Sequence, residues 1–134
     1  MDSSFETTVV HLDQAFLITP VGDIDLQVEE DLALLLKTLP PRARVVLDMA
    51  GVPFMDLLGL HFVLDLRERG RRLGAPLLIV GMRSEPQRLL ALATELGILD
   101  DTSHTVAESG APSEPADLAR VLGAVRAADV LALY

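Results

Sequence analysis

The sequence predicts one α/β domain built on a mixed β-sheet, opened by an N-terminal antiparallel hairpin and carrying about four helices. Three observations lead there. Apolar runs of strand length alternate with longer segments whose apolar residues recur at helical spacing, the pattern of a largely parallel sheet covered by helices. The first two runs are separated only by Asp13 and Gln14, a hairpin-length connection, so the sheet is mixed rather than wholly parallel. The 134 residues, half of them hydrophobic, suit one domain with one core. With four Phe, one Tyr and no Trp, that core must be aliphatic.

In chain order, residues 7–12 and 15–21 read as the hairpin strands, and Pro20 hints at an edge or a bulge. Gly22, Asp23, Ile24 and Asp25 break the second strand. Val28, Leu32, Leu35, Leu36 and Leu39 then form the apolar stripe of a first helix, with Asp25 its candidate N-cap. Glu29, Glu30 and Asp31 sit early, where the helix dipole favours negative charge, and Pro40 and Pro41 stop the helix. Residues 44–49 are a short apolar strand of the kind buried on both faces. A loop over 51–56 leads to a second helix from about 57 to 73. Gly59, Val63, Leu66 and Gly70 line its sheet-facing side, and the two glycines allow a close approach. Gly74, Ala75 and Pro76 end it, and residues 77–80 form another buried strand.

Ser84 with Gln87 three residues on predicts a capping box at the start of a third helix, whose buried stripe is Leu89, Leu92, Ala93 and Leu96. Gly97 suits the position just past the helix end, with Ile98 folding back. Residues 100–115 are polar and rich in small residues, with one weak strand near 104–107. Residues 115–133 read as a last helix with Leu118, Val121, Leu122, Val125 and Ala128 on one face, packing on this domain or on a second copy. No internal repeat or domain boundary is visible.

The formal net charge of -9, from 20 acidic and 11 basic residues, disfavours nucleic acid as a partner and suits either simple solubility or a basic protein surface. There is no Cys, which excludes disulfides and thiolate metal sites. The first residues lack the basic and apolar regions of a signal peptide, and no stretch approaches the ~20 apolar residues of a membrane span. The expectation is a cytoplasmic protein.

The richest segment runs from Val45 through Asp48 to Leu60. An apolar strand ends in Asp48, Phe54 and Met55 precede Asp56, and Leu57, Leu58, Gly59 and Leu60 open the next helix. Asp56 stands where a carboxylate accepts from the amide of Leu58 or Gly59 and caps that helix. Together with the turn at Gly22 to Asp25 and the strand after Pro76, this ordered set resembles the core of the STAS domain family over roughly residues 7–107. The resemblance implies a STAS-like, SpoIIAA-like fold in one domain of residues 1–134, with a C-terminal loop and helix over 108–134. It also implies a non-enzymatic module of the anti-sigma factor antagonist type. Its partner would be an anti-sigma factor with a histidine-kinase-like ATPase fold, contacted by Asp23, Asp25, Asp56, Leu57, Leu58, Gly59 and Leu60.

In that family a Ser or Thr beside this Asp is phosphorylated by the partner, which adds about -1.5 to -2 charges and ejects it. Here both positions are leucine, Leu57 and Leu58, so the switch has no acceptor. Either the tip contacts a partner constitutively, or the partner class has changed, or both leucines pack into the domain's own core. A STAS-like subunit of a lipid or anion transporter, or a small-ligand sensor, is the alternative function.

Other constellations are weaker. Asp23, Asp25, Asp48 and Asp56 invite a metal or phosphoacceptor reading, but capping and turn roles explain Asp25 and Asp56. The only Lys, Lys37, lies inside the first helix, where a receiver domain would not use it. His11, His61 and His104 lack metal-ligand spacing. Arg67, Arg69, Arg71 and Arg72 suit a helix C-terminus better than an anion or lipid-headgroup patch. No catalytic set, cofactor loop or metal signature is found, and both monomer and homodimer fit the sequence.

Overall fold

The computed structural model describes residues 5–12, 15–98, 104–105 and 130–134. Strand β1 (Glu6–His11) pairs antiparallel with β2 (Phe16–Val21) over its whole length, from Glu6 opposite Val21 to His11 opposite Phe16. A 3-10 turn (Leu26–Val28) leads into α1 (Glu29–Thr38), which returns the chain to β3 (Val45–Asp48) beside and parallel to β2. Helix α2 (Leu57–Arg71) makes the next crossover to β4 (Leu77–Val80), parallel to β3, and α3 (Ser84–Glu95) follows. Among the described residues, strands β5 (His104–Thr105) and β6 (Val130–Leu133) bring the sheet to six strands in the order β1-β2-β3-β4-β6-β5, with β6 antiparallel to both neighbours. This is the mixed α/β architecture with a leading hairpin that the sequence predicts.

All three helices contribute to one core on one face of the sheet. Leu32 and Leu35 of α1, Leu60, Val63 and Leu66 of α2, and Leu90 and Ala93 of α3 meet Ile18, Val45, Leu47, Leu77 and Ile79. On the other face Val46, Leu78 and Val80 cluster with Ala15, Val130 and Ala132. β3 and β4 are thus buried on both faces, which is why their sequences run apolar without alternation. The α2 glycines make room for the flanking loops rather than for the strands: a Cβ on Gly70 would lie 2.7 Å from the Ala75 carbonyl oxygen, and one on Gly59 2.7 Å from the Met55 Cβ.

Several expectations need correction. Residues 130–133 are strand, not the end of a helix; most of the predicted last helix, with its stripe from Leu118 to Ala128, and the hairpin residues Asp13 and Gln14 lie outside the described residues. Three α-helices are described where about four are expected. Pro20 lies in β2, an interior strand. The amides of Phe16 and Gly22 both donate towards the β3 side, to Arg44 and Gly51 carbonyls. Pro20 shares their parity, so its missing N–H faces that side, past the three residues of β2 in register with β3.

Ser84 does not cap α3. The helix begins at Ser84 itself, Arg83 holds the cap position with no side-chain bond, and Gln87 donates instead to the Met82 carbonyl at 3.0 Å. The buried stripe is also rotated: Pro86, Leu90 and Ala93 face inward at i, i+4 and i+7, while Leu92 and Leu96 are exposed. The helix end is as expected. Gly97 takes a φ of 81°, and the amides of Gly97 and Ile98 close back on the carbonyls of Thr94 and Ala93.

Candidate functional site

The parallel strands β2, β3 and β4 end on the same side of the molecule, where α1, α2 and α3 begin. Two segments meet there and are clipped together by their backbones. Val21 and Ile24 form parallel bridges to Gly51 and Met55. The amide of Gly22 donates to the Gly51 carbonyl at 2.8 Å, that of Ile24 to the Phe54 carbonyl at 3.0 Å, and that of Asp56 to the Ile24 carbonyl at 3.0 Å. Ile24 and Met55 are buried beneath this seam. The turn at Gly22 to Asp25 and the start of α2, far apart in sequence, thus form one surface.

The Asp56 capping expectation holds, and that for Asp25 is corrected, because α1 has Val28 at its cap position and no side-chain cap. Asp56 has extended φ/ψ, and its carboxylate accepts from the amide of Leu58 at 2.8 Å. Asp25 accepts from Gln27 at 3.0 Å and caps the 3-10 turn rather than α1 itself. Each satisfies an amide that would otherwise have no partner at a helix start. Asp23 is exposed. Asp48 spends one carboxylate oxygen on the Ala50 amide at 3.0 Å, a turn role. Among the described residues no group of three or more His, Asp or Glu is arranged to hold a metal ion.

The four residues after Asp56 divide. Leu57 is 61% exposed at the tip of α2. Leu58 is half-buried and packs against the core, Gly59 is buried beside Met55, and Leu60 is 2% exposed within the core. The predicted pair of apolar tip residues is therefore one free side chain and one packed one. Three further apolar side chains are exposed on the same clipped segments and were not singled out from sequence: Leu26 at 69%, Val21 at 47% and Phe54 at 44% exposure. The available signal for Leu26 was that it falls before the stripe from Val28 to Leu39; Phe54 carried none, because an apolar loop residue reads equally as core.

Two arginines of the basic cluster, Arg69 and Arg72, have a structural role. Arg69 donates to the Leu39 and Pro40 carbonyls at 2.9 and 3.0 Å and pairs with Asp65 at 2.6 Å, while Arg72 donates to the Pro41 carbonyl at 3.2 Å. These arginines satisfy the proline-bearing connection between α1 and β3. A hollow of about 410 Å³ there, and one of about 570 Å³ between β1 and α1, do not include the capped helix starts. No helix among the described residues is long and apolar enough to cross a membrane.

Comparison with known proteins adds the family. A family model described as the STAS domain matches residues 6–109. No curated protein matches the sequence. Among solved structures, the anti-sigma factor antagonist SpoIIAA in its unphosphorylated form is similar at 14% identity and a TM-score of 0.48, covering 67% of this chain and 83% of that one. An anti-sigma factor antagonist STAS domain from Rhodobacter sphaeroides is similar at 20% identity and a TM-score of 0.38, covering 49% and 78%. An uncharacterized Shewanella loihica protein with a SpoIIAA-like fold is similar at 14% identity and 0.42, covering 72% and 84%.

Proposed function

The chain belongs to the STAS domain family, and on that premise we propose that it is a non-enzymatic, cytoplasmic protein-binding module of the anti-sigma factor antagonist type. Its partner is an anti-sigma factor with a histidine-kinase-like ATPase fold, and the contact lies at the Asp56 end of α2 and the adjoining turn at Asp23 and Asp25. The observation that carries this reading is Leu57. It projects, 61% exposed, from the first position of a helix whose start is held by a side-chain cap and clipped to the neighbouring turn. An apolar side chain held free on a rigid support is suited to burial against another macromolecule, where one Leu contributes roughly 1.5–3 kcal/mol before the costs of association.

Neither Leu57 nor Leu58 has a hydroxyl, so no phosphate can be accepted at the two positions where the family places one. Binding is then governed by concentration and not by phosphorylation at this tip. The test is a titration of the purified chain with each anti-sigma factor of the same cell, with and without ATP. We expect one of them to bind with an affinity that prolonged incubation with ATP leaves unchanged. Absence of binding to all of them, with the domain folded, rejects the partner class; phosphate appearing on the 51–60 segment rejects the constitutive mode.

A further inference from the structure

Single exposed apolar residues are ordinary, but several gathered on one rigid surface are not. Leu26, Phe54 and Leu57 are exposed apolar residues next to the bonds from Ile24 to the Phe54 carbonyl and from Asp56 to the Ile24 carbonyl, with Val21 exposed farther along the same seam. Each lies within two residues of that seam, and none is needed by the core beneath it, which Ile24, Val28, Met55 and Leu60 fill.

The described charges nearest them along the chain are acidic. Asp23 is exposed in the turn, and Glu29, Glu30 and Asp31 are exposed in the first turn of α1. Arg83 and Arg88 share this side of the molecule but stand at α3, where Arg88 is 3.4 Å from Glu85. Among the described residues, Lys37, Arg42, Arg44, Arg69, Arg71 and Arg72 stand towards the opposite side, at the helix C-termini and strand starts. That far end also carries Asp65, Glu68 and Glu95 and the exposed Leu73, Leu96 and Ile98, so what sets the Asp56 end apart is its local run of acids around apolar side chains held on one clipped support.

We propose that Leu26, Phe54 and Leu57 form an apolar tripod that seats in an apolar recess on a partner protein whose rim is basic. The carboxylates of Asp23, Glu29 and Glu30 steer the approach, and the three apolar side chains set the lifetime of the complex. Complementary charge acts mainly on the association rate and its salt dependence, and buried apolar anchors act mainly on dissociation. This rests on the reading that the Asp56 end is the binding surface, and adds the chemistry of what it binds.

The test uses the chain immobilised in a lysate of its own cell at low salt. Recovered protein is identified by mass spectrometry, purified and titrated. Leu57→Asp and Leu26→Asp are each expected to weaken binding by at least about 30-fold, the scale of an interface hot spot, with no loss of thermal stability, since both positions are exposed and an acid suits a helix start. The pair Asp23→Lys and Glu30→Lys is expected to slow association about tenfold and flatten its salt dependence. Arg42→Glu, at the opposite end, is expected to change neither. If the partner is some protein other than an anti-sigma factor and is lost by these same variants, the tripod stands and the partner class falls. If an anti-sigma factor binds but the leucine variants leave its affinity unchanged, or Arg42→Glu abolishes it, the tripod is overturned while the partner class stands. Recovery of nothing by the folded chain overturns the tripod as well.

Discussion

Asp56 supports the α2 start through one hydrogen bond from its carboxylate to the Leu58 amide. Asp56→Ala is therefore expected to cost about 1 kcal/mol of folding stability, and Asp56→Asn or Asp56→Ser much less, since either can still accept at the N-cap; urea unfolding of the three variants checks this. The two leucines that follow are separable in the same way. Leu57→Ser should change stability by no more than about 0.5 kcal/mol, because the side chain already stands in water. Leu58→Ser removes a side chain packed on the core, and a loss of about 1–2 kcal/mol is expected. The Asp56 cap was legible because an Asp directly before an apolar helical run has few other uses. The false cap at Ser84 had the same signal. It failed because the helix began one position earlier and Gln87 found the Met82 carbonyl, a choice no spacing rule contains.

At the scale of elements, α2 is held against its surroundings by two contacts of different kinds. Gly70 meets the backbone of the loop leading into β4, and a methyl there would sit 2.7 Å from the Ala75 carbonyl oxygen. Gly70→Ala is expected to destabilise by about 1–3 kcal/mol despite the better helix propensity of Ala, and Gly59→Ala similarly, since the Met55 Cβ that it meets at 2.7 Å is fixed to the backbone. Arg69, whose side chain is only 16% exposed, ties α2 to the carbonyls of Leu39 and Pro40. Arg69→Ala should cost about 2 kcal/mol, whereas Arg72→Ala, half-exposed and paired with an exposed Glu68, should lie within about 1 kcal/mol of no change. Thermal or chemical denaturation of both separates them. The sequence placed these arginines by the helix dipole alone; their role as a clasp needed the prolines of the preceding connection to arrive beneath them.

For the whole molecule the decisive feature is β6. It lies between β4 and β5, pairs residue for residue with β4 from Leu77 opposite Leu133 to Val80 opposite Val130, and buries Val130, Ala132 and Leu133. Leu133→Ala is expected to cost roughly 2–5 kcal/mol as a core truncation. The amides of β4 should be among the slowest to exchange with deuterium, since this strand is interior and buried on both faces. Fast exchange there would mean that β6 does not hold its place.

Periodicity and turn chemistry alone determined the alternation of strands and helices from β1 to α3, the opening hairpin, and the cap at Asp56, because each depends on neighbours a few residues away. The family resemblance likewise rested on local strings. Three things depended on contacts between distant segments: strand pairing for Val130 to Leu133, the inward face of α3, and which of Leu57 and Leu58 reaches solvent. A four-residue apolar run fits a helix as well as a strand until an unpaired edge such as that of β4 claims its amides and carbonyls. A leucine beside a helix start is core or surface only once the turn at Ile24 has closed over it.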